Sequence, residues 1–370
     1  MRVPFFAFRD FPAGILQQTE QAVLQALRGK HLILGPKVEE FEQQFARWVG
    51  VKHCIGVGNG YDALALSVRT AGIGKGDSVL LSANGYIAAA NAVVAAGATP
   101  VFADPDPATG NLRTATAQKH LTASIKAILP VYLYGQVSEA AELEKLCQEK
   151  ELILIEDFAQ AQGAKQEGRM AGSFGLVNAT SFYPTKNLGA AGDAGAVCTD
   201  NDAIAEQLKL LRNYGQRTRY RNELIGINTR LDELQAAVLL EKLAVADQLT
   251  QERRRLAEVY LHELKGIPKL MLPEAISPEA HTWHLFVIRT QQRDELQSYL
   301  AQSEISTLIH YPIPPYRQQA YTWLQLPPGT FPVTDELAAT CLSLPLFPGL
   351  TAHEQEYAIA KVKAFFQSRN

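Results

Sequence analysis

Three short stretches hold residue types that could do chemistry. The run Leu152-Ile153-Leu154-Ile155 stops at Glu156-Asp157. Four apolar residues in a row read as a buried strand, and in a parallel α/β sheet ligands sit outside the carboxyl ends of the strands, so Asp157 is a charge placed where a ligand would lie. Lys186 follows 29 residues later, between a strand-like run that ends at Pro184 and glycines at 189, 192 and 195. An amine held between a strand end and a Gly-rich turn can be desolvated and aimed, as a lysine that condenses with a carbonyl must be. Gly58-Asn59-Gly60-Tyr61-Asp62 joins a strand to a helix. Backbone N–H groups at such a helix start favour an anion such as phosphate.

Each feature alone has a plainer reading. Asp157 is better read as a helix N-cap, Lys186 as a solvated surface lysine, and the Gly-containing turn as ordinary punctuation. Together they match the needs of pyridoxal 5′-phosphate. That cofactor requires a phosphate cup, a carboxylate to keep the pyridine nitrogen protonated, and a lysine to hold the aldehyde and shuttle a proton. The spacing leaves room for a hairpin and one strand back to the same sheet edge.

The elements that must position these groups alternate through the first half of the chain. Helix-like patterns cover Ile15–Arg28, Val38–Val49 and Ala63–Ala71, a small-residue helix runs from about Tyr86 to Ala96, and a charged one runs from Ser138 to Lys150. Strand-like runs cover Cys54–Gly58, Ser78–Ser82, Thr99–Ala103, Ile125–Val131 and Leu152–Ile155. Strands apolar on both faces need cover on both sides, so the expected fold class is α/β with a largely parallel sheet between helices. Leu231–Leu264 reads as a long helix or a helix pair. Beyond Gly266-Ile267-Pro268 the pattern changes to strands at Trp283–Arg289 and Ile305–Ile309, a helix at Gln292–Gln302, a Pro-rich loop at Tyr311–Tyr316 and a closing helix near Thr351–Gln367. We expect a large α/β domain over 1–250 and a small α+β domain over 251–370.

Composition excludes several classes. With 47% apolar and 20% charged residues, disorder is ruled out, and a formal charge of −3 gives no basic surface for nucleic acid. The longest apolar stretch, Ile87–Ala98, is broken by Asn91 and too short to span a membrane. The apolar start at Phe5–Phe8 breaks at Arg9, too early for a secretory signal. Four scattered cysteines with no CxxC pair suit reduced thiols and a cytoplasmic protein. His281 and His284 have no third ligand at helpful spacing, so no metal is expected.

The ordered motifs resemble the DegT/DnrJ/EryC1/StrS family of pyridoxal-phosphate sugar aminotransferases. The strongest are Ile155-Glu156-Asp157-Phe158-Ala159-Gln160, Ser181-Phe182-Tyr183-Pro184-Thr185-Lys186-Asn187-Leu188-Gly189 and Asn228-Thr229-Arg230-Leu231-Asp232-Glu233-Leu234-Gln235-Ala236-Ala237. The resemblance runs from Ile33-Leu34-Gly35-Pro36 to Leu342-Ser343-Leu344-Pro345. It implies the type I, aspartate aminotransferase-like fold and a homodimer with active sites at the subunit interface. It implies Lys186 as the catalytic lysine that anchors the cofactor and Asp157 as the pyridine partner. Gln160 would bond the phenolic oxygen, and Tyr86 would stack on the ring. Gly60, Tyr61 and Ser181 would hold the phosphate, with Asn228 reaching it from the other subunit. Relatives that replace the lysine with His are dehydratases, so Lys186 places this chain on the transaminase branch.

The chain departs from the family at Gly85, where Thr or Ser is usual, at Tyr61, where many members have Thr, and at Gln162, where His is common. The resemblance implies L-glutamate as donor, 2-oxoglutarate as by-product, and pyridoxamine 5′-phosphate as the form between half-reactions. The stretch Ile309-His310-Tyr311-Pro312-Ile313-Pro314-Pro315 is similar to that of aminotransferases acting at C-3 of dTDP-3-keto-6-deoxyhexoses in deoxyaminosugar biosynthesis. On that basis His310, Tyr311 and Tyr183 would meet the nucleotide-sugar. Arg219 and Tyr220 join them, because a guanidinium fork suits a pyrophosphate. A C-4 ketosugar aminotransferase, a non-catalytic regulatory member and a lyase or decarboxylase are the alternatives.

Overall fold

The structure is a computed structural model and describes residues 1–368. Strands β1 (His53–Val57), β2 (Ser78–Ser82), β3 (Thr99–Ala103), β4 (Ile125–Leu129) and β5 (Ile153–Leu154) are followed by a small hairpin, β6 (Lys165–Gln166) and β7 (Arg169–Met170), and then by β8 (Asn178–Ser181) and β9 (Gly195–Thr199). β3, β2, β4 and β5 lie side by side and parallel, while β1, β9 and β8 form an antiparallel set. Asp157 joins the two sets through parallel bridges to Val131 and Ala179. The order across the sheet is therefore β3-β2-β4-β5-β8-β9-β1, with only β9 reversed.

Alternation along the strands divides the interior between the two faces. Leu80, Ile128 and Leu154 enter one core with Phe41, Phe45, Phe158 and Phe182. Val79, Leu81, Ala127 and Leu129 enter the other, with Leu64, Leu66 and Val93 from the helices. Those helices are α1 (Ile15–Leu27), α2 (Pro36–Val49), α3 (Gly60–Thr70), α4 (Ala88–Ala95), α5 (Thr114–Lys119), α6 (Ala140–Glu149), α7 (Asp202–Leu211), α8 (Glu233–Ala244) and α9 (Ala246–Glu263). Pro36 at the first turn of α2 and Gly50 at φ +88° after its last show the usual start and stop chemistry. Between α7 and α8 the strands β10 (Gln216–Thr218) and β11 (Arg221–Asn222) form an exposed hairpin.

A third core gathers Leu256 and Tyr260 of α9 with Val3, Phe286, Leu296, Leu342 and Phe365. It holds the antiparallel pair β12 (Phe286–Arg289) and β13 (Cys341–Leu344), with α10 (Arg293–Gln302), α11 (Pro332–Thr340) and α12 (Ala352–Gln367) nearby. Two strand expectations are corrected here. The strand expected from Trp283 begins at Phe286, because Trp283 sits at φ +51° and residues 282 and 285 donate to the Tyr134–Gly135 turn instead. Ile305–Ile309 makes only isolated bridges, Val3 to Ile305 and Leu308 to Ser343, since the chain leaves both partners after one residue. The small-residue helix starts at Ala88 rather than Tyr86. No helix is long and apolar enough to cross a membrane among the described residues. All four cysteines are buried and unpaired.

Candidate active site

The acid and the amine come within electrostatic reach of one another at the centre of the sheet, without forming an ion pair among the described residues. Asp157 is fixed by its own backbone, whose N–H donates to Pro130 at 2.9 Å and whose oxygen accepts from Tyr132 at 3.0 Å. Its Oδ1 accepts the N–H of Ala159 at 3.1 Å. Burial pushes this carboxyl above its ordinary range, against the opposing pull of the Ala159 N–H and the Lys186 charge. The hairpin β6–β7 and strand β8 carry the chain back, so Lys186 arrives at the same edge. Burial lowers its ammonium to about 8, with Asp157 working the other way. A lysine poised there can exchange a proton near neutral pH.

The turn that carries Lys186 is held on several sides. Gln162 is buried; its Nε2 donates to Thr180 Oγ1 at 2.9 Å and to the Ser181 carbonyl at 3.0 Å, and its Oε1 accepts the Leu188 N–H at 2.8 Å. Asn187 donates to Thr282 Oγ1 at 2.8 Å and faces His284 Nδ1 at 3.2 Å. Burial, reinforced by the Lys186 charge, holds the His284 imidazole neutral. Lys242 donates to the Gly189 carbonyl at 2.6 Å.

Around this pair the structure gathers several predicted residues. Gln160 Oε1 accepts the Tyr134 N–H at 2.8 Å, and its Nε2 donates to the Tyr311 hydroxyl at 3.2 Å. The Tyr311 ring lies 5.5 Å from that of Tyr86, which is otherwise exposed. His310 Nδ1 pairs with Ser343 Oγ at 2.8 Å, and its carbonyl accepts from Tyr134 at 2.7 Å. Burial and then Lys186 lower the His310 imidazole to about 4.

A cup for an anion lies at the start of α3. Asn59 caps the helix by accepting the N–H of Asp62 at 2.8 Å, which leaves the amides of Gly60 and Tyr61 for another partner. Gly60 presses on Ser181, and a Cβ there would stand 2.4 Å from the serine's Cβ. Glycine is required for this approach. Phosphate cup, carboxylate and lysine thus occupy one place and fit pyridoxal phosphate.

Four predicted residues stand apart. Tyr183 is exposed beside the turn. Asn228 is exposed, with a backbone bridge to Asn213 and no hydrogen bond from its amide group among the described residues. Arg219 and Tyr220 lie at the tip of the β10–β11 hairpin, the guanidinium 5.0 Å from a tyrosine ring that is 80% exposed, and neither touches the Asp157–Lys186 cluster within this chain.

Sequence reasoning missed Tyr134, Thr282, His284 and Lys242 as neighbours of the site. His281 and His284 are both buried. The only signal for His284 was its dismissal as a ligand, and nothing in the spacing linked it to Asn187.

Comparison with known proteins settles the ancestry. Residues 15–363 match the DegT/DnrJ/EryC1/StrS aminotransferase family. The chain belongs to that family. It is 42% identical, over 98% of its length and 99% of the relative's, to the dTDP-3-amino-3,6-dideoxy-alpha-D-galactopyranose transaminase of Aneurinibacillus thermoaerophilus. It is also 42% identical to the erythromycin biosynthesis sensory transduction protein EryC1 of Saccharopolyspora erythraea, over 98% of this chain and all of that one. Among solved structures it matches S. venezuelae DesV, crystallised in complex with a ketimine intermediate, with a TM-score of 0.96 and 41% identity over 99% of both chains. Membership of this DegT/DnrJ/EryC1/StrS family makes the chain a pyridoxal-phosphate-dependent aminotransferase of type I fold.

Proposed function

We propose that this aminotransferase moves the amino group of L-glutamate to a dTDP-linked 3-keto-6-deoxyhexose, in deoxyaminosugar biosynthesis. The observation that carries the reading is the buried convergence of Asp157 and Lys186 beside the Gly60–Ser181 cup. The similarity to the Aneurinibacillus transaminase supports the sugar class. When bound, pyridoxal phosphate supplies an aldehyde that condenses with amines and a ring that takes up an electron pair.

The chain's own residues do the rest. Lys186 Nζ anchors the cofactor, then accepts and returns the proton of the reacting carbon. Asp157 would hold the proton on the pyridine nitrogen. Gln160 would bond the phenolic oxygen, and Tyr86 would cover a ring face. Gly60, Tyr61 and Ser181 would hold the phosphate. Tyr311 and His310 would bound the sugar side, with the exposed Tyr183 ring beside the Lys186 turn free to meet the nucleotide-sugar. Asn228, Arg219 and Tyr220 are exposed in the single chain, which suits groups that complete the site of a second subunit in a homodimer.

The test is direct. Protein supplied with pyridoxal phosphate, L-glutamate and a dTDP-3-keto-6-deoxyhexose should yield the 3-amino sugar by NMR. A product aminated at C-4 moves the assignment to that carbon. The name of EryC1 favours a second reading, a regulatory protein that keeps the fold. The retained Lys186–Asp157 pair weighs against it, and an unchanged ketosugar would favour it.

A further inference from the structure

Lys186 has a second open side. Lys186 lines a cavity of about 300 Å³ that Asp157 does not line, bounded by the N-terminal segment around Phe6 and Phe8, by α8 and by the start of α9. The walls are mostly apolar, yet Lys186, Lys242, Arg253 and Arg9 all line the cavity, and no Asp or Glu does. Arg9 is already paired with Glu354 at 2.7 Å. Among the described residues the other three cations have no carboxylate within ion-pair distance.

Their unused donors are specific. Arg253 is 2% exposed. Its Nη1 donates to the carbonyls of Trp283, His284 and Leu346 at 3.2 to 3.4 Å, while Nε is buried without a partner and Nη2 makes no hydrogen bond among the described residues. Lys242 spends one N–H on Gly189 and has two more. Burial lowers Lys242 to about 8 and Arg253 to about 10, which is the response of cations held out of water without a counter-ion. An isolated buried charge is costly, and an arriving carboxylate removes that cost.

We infer that the cavity formed by Lys242, Arg253 and the Phe6–Phe8 segment receives a carboxylate of the amino donor, with the donor's methylene chain against the apolar walls. This rests on the reading of the chain as an aminotransferase with a dicarboxylate donor. A carboxylate seated there holds the donor against a wall that neither His310 nor Tyr311 lines. The donor and the ketosugar, which occupy the site in turn, are then held by different residues.

Glutarate is the probe, because it has both carboxylates and no amine to react. Calorimetry on cofactor-loaded protein should show saturable glutarate binding. That binding should fall about tenfold or more in Lys242→Met and return in Lys242→Arg, because a charge-assisted bond is lost and then restored. Binding of dTDP should be the same in all three proteins. In wild type, glutarate binding should also weaken as pH rises through 8, a readout that stands even if a variant fails to fold. Absent glutarate binding in wild type, or equal binding in Lys242→Met, overturns the inference. Failure of ketosugar conversion with intact glutarate binding would instead remove the sugar assignment and leave this site standing.

Discussion

Gln162 and Leu188 are joined by a 2.8 Å hydrogen bond, from the leucine's backbone N–H to the glutamine's Oε1, across the base of the turn that carries Lys186. The same side chain donates to Thr180 and Ser181 on β8. The Gln162 amide therefore uses both of its N–H donors and its oxygen to tie the turn to β8. Gln162→Leu strips an acceptor from Leu188 and a donor from two oxygens. It should destabilise the fold by at least about 2 kcal/mol in denaturant unfolding, since buried polar groups left unpaired cost about 1–3 kcal/mol each. Wild-type stability in that variant would show that the turn is held elsewhere.

Lys186→Ala should lower transamination by about 10³-fold or more, because anchor and proton carrier are lost together. Borohydride treatment of cofactor-loaded wild type should attach the cofactor at position 186 by peptide mass mapping. Attachment at Lys242 instead would reassign the amine.

Asp157→Asn keeps the shape and removes the charge. The amide cannot hold a proton on the pyridine nitrogen, so kcat should fall by about 10²-fold or more while the folded state persists. A variant with unchanged kcat would remove Asp157 from its role.

Gly60→Ala tests the cup. The new methyl would stand 2.4 Å from the Ser181 Cβ. Overpacking of this kind costs about 1–3 kcal/mol, and the shift of α3 should weaken cofactor binding measured by equilibrium dialysis. Cofactor affinity equal to wild type would place the phosphate elsewhere.

The pH dependence of cofactor uptake follows from Lys186. Only the neutral amine attacks an aldehyde, and burial brings Lys186 down to about 8. The bimolecular rate of uptake should rise with pH and level off above about 8. A rise that continues toward the ordinary lysine range would mean a solvated amine. His310, lowered to about 4, is neutral over this window and should add no step near 6.

The same shift has a sign in stability. Between about 8 and the ordinary lysine value the unfolded chain binds the extra proton, so Lys186 and Lys242 both make the cofactor-free fold gain stability as pH rises through that window. Unfolding midpoints that fall steadily from pH 8 to 10 would contradict amines whose shift is set by desolvation at these two positions.

The sequence by itself determined the alternation of elements and the doubly covered sheet, and it pointed to Asp157, Lys186 and the Gly60 turn as one candidate constellation. Those features are local: apolar runs of a given length, a charge at a strand end, a glycine before a helix. It could not determine that β9 alone runs against the sheet, that Trp283 turns before its strand begins, or that Ile305–Ile309 finds only single bridges, because strand partners are chosen across long separations. The tertiary structure alone decided the neighbours of Lys186. His284 reaches Asn187 from 97 residues away, and Lys242 reaches Gly189 from 53 residues away. Such contacts exist only once separate cores have packed, and so does the burial that lowers the Lys186 ammonium to about 8.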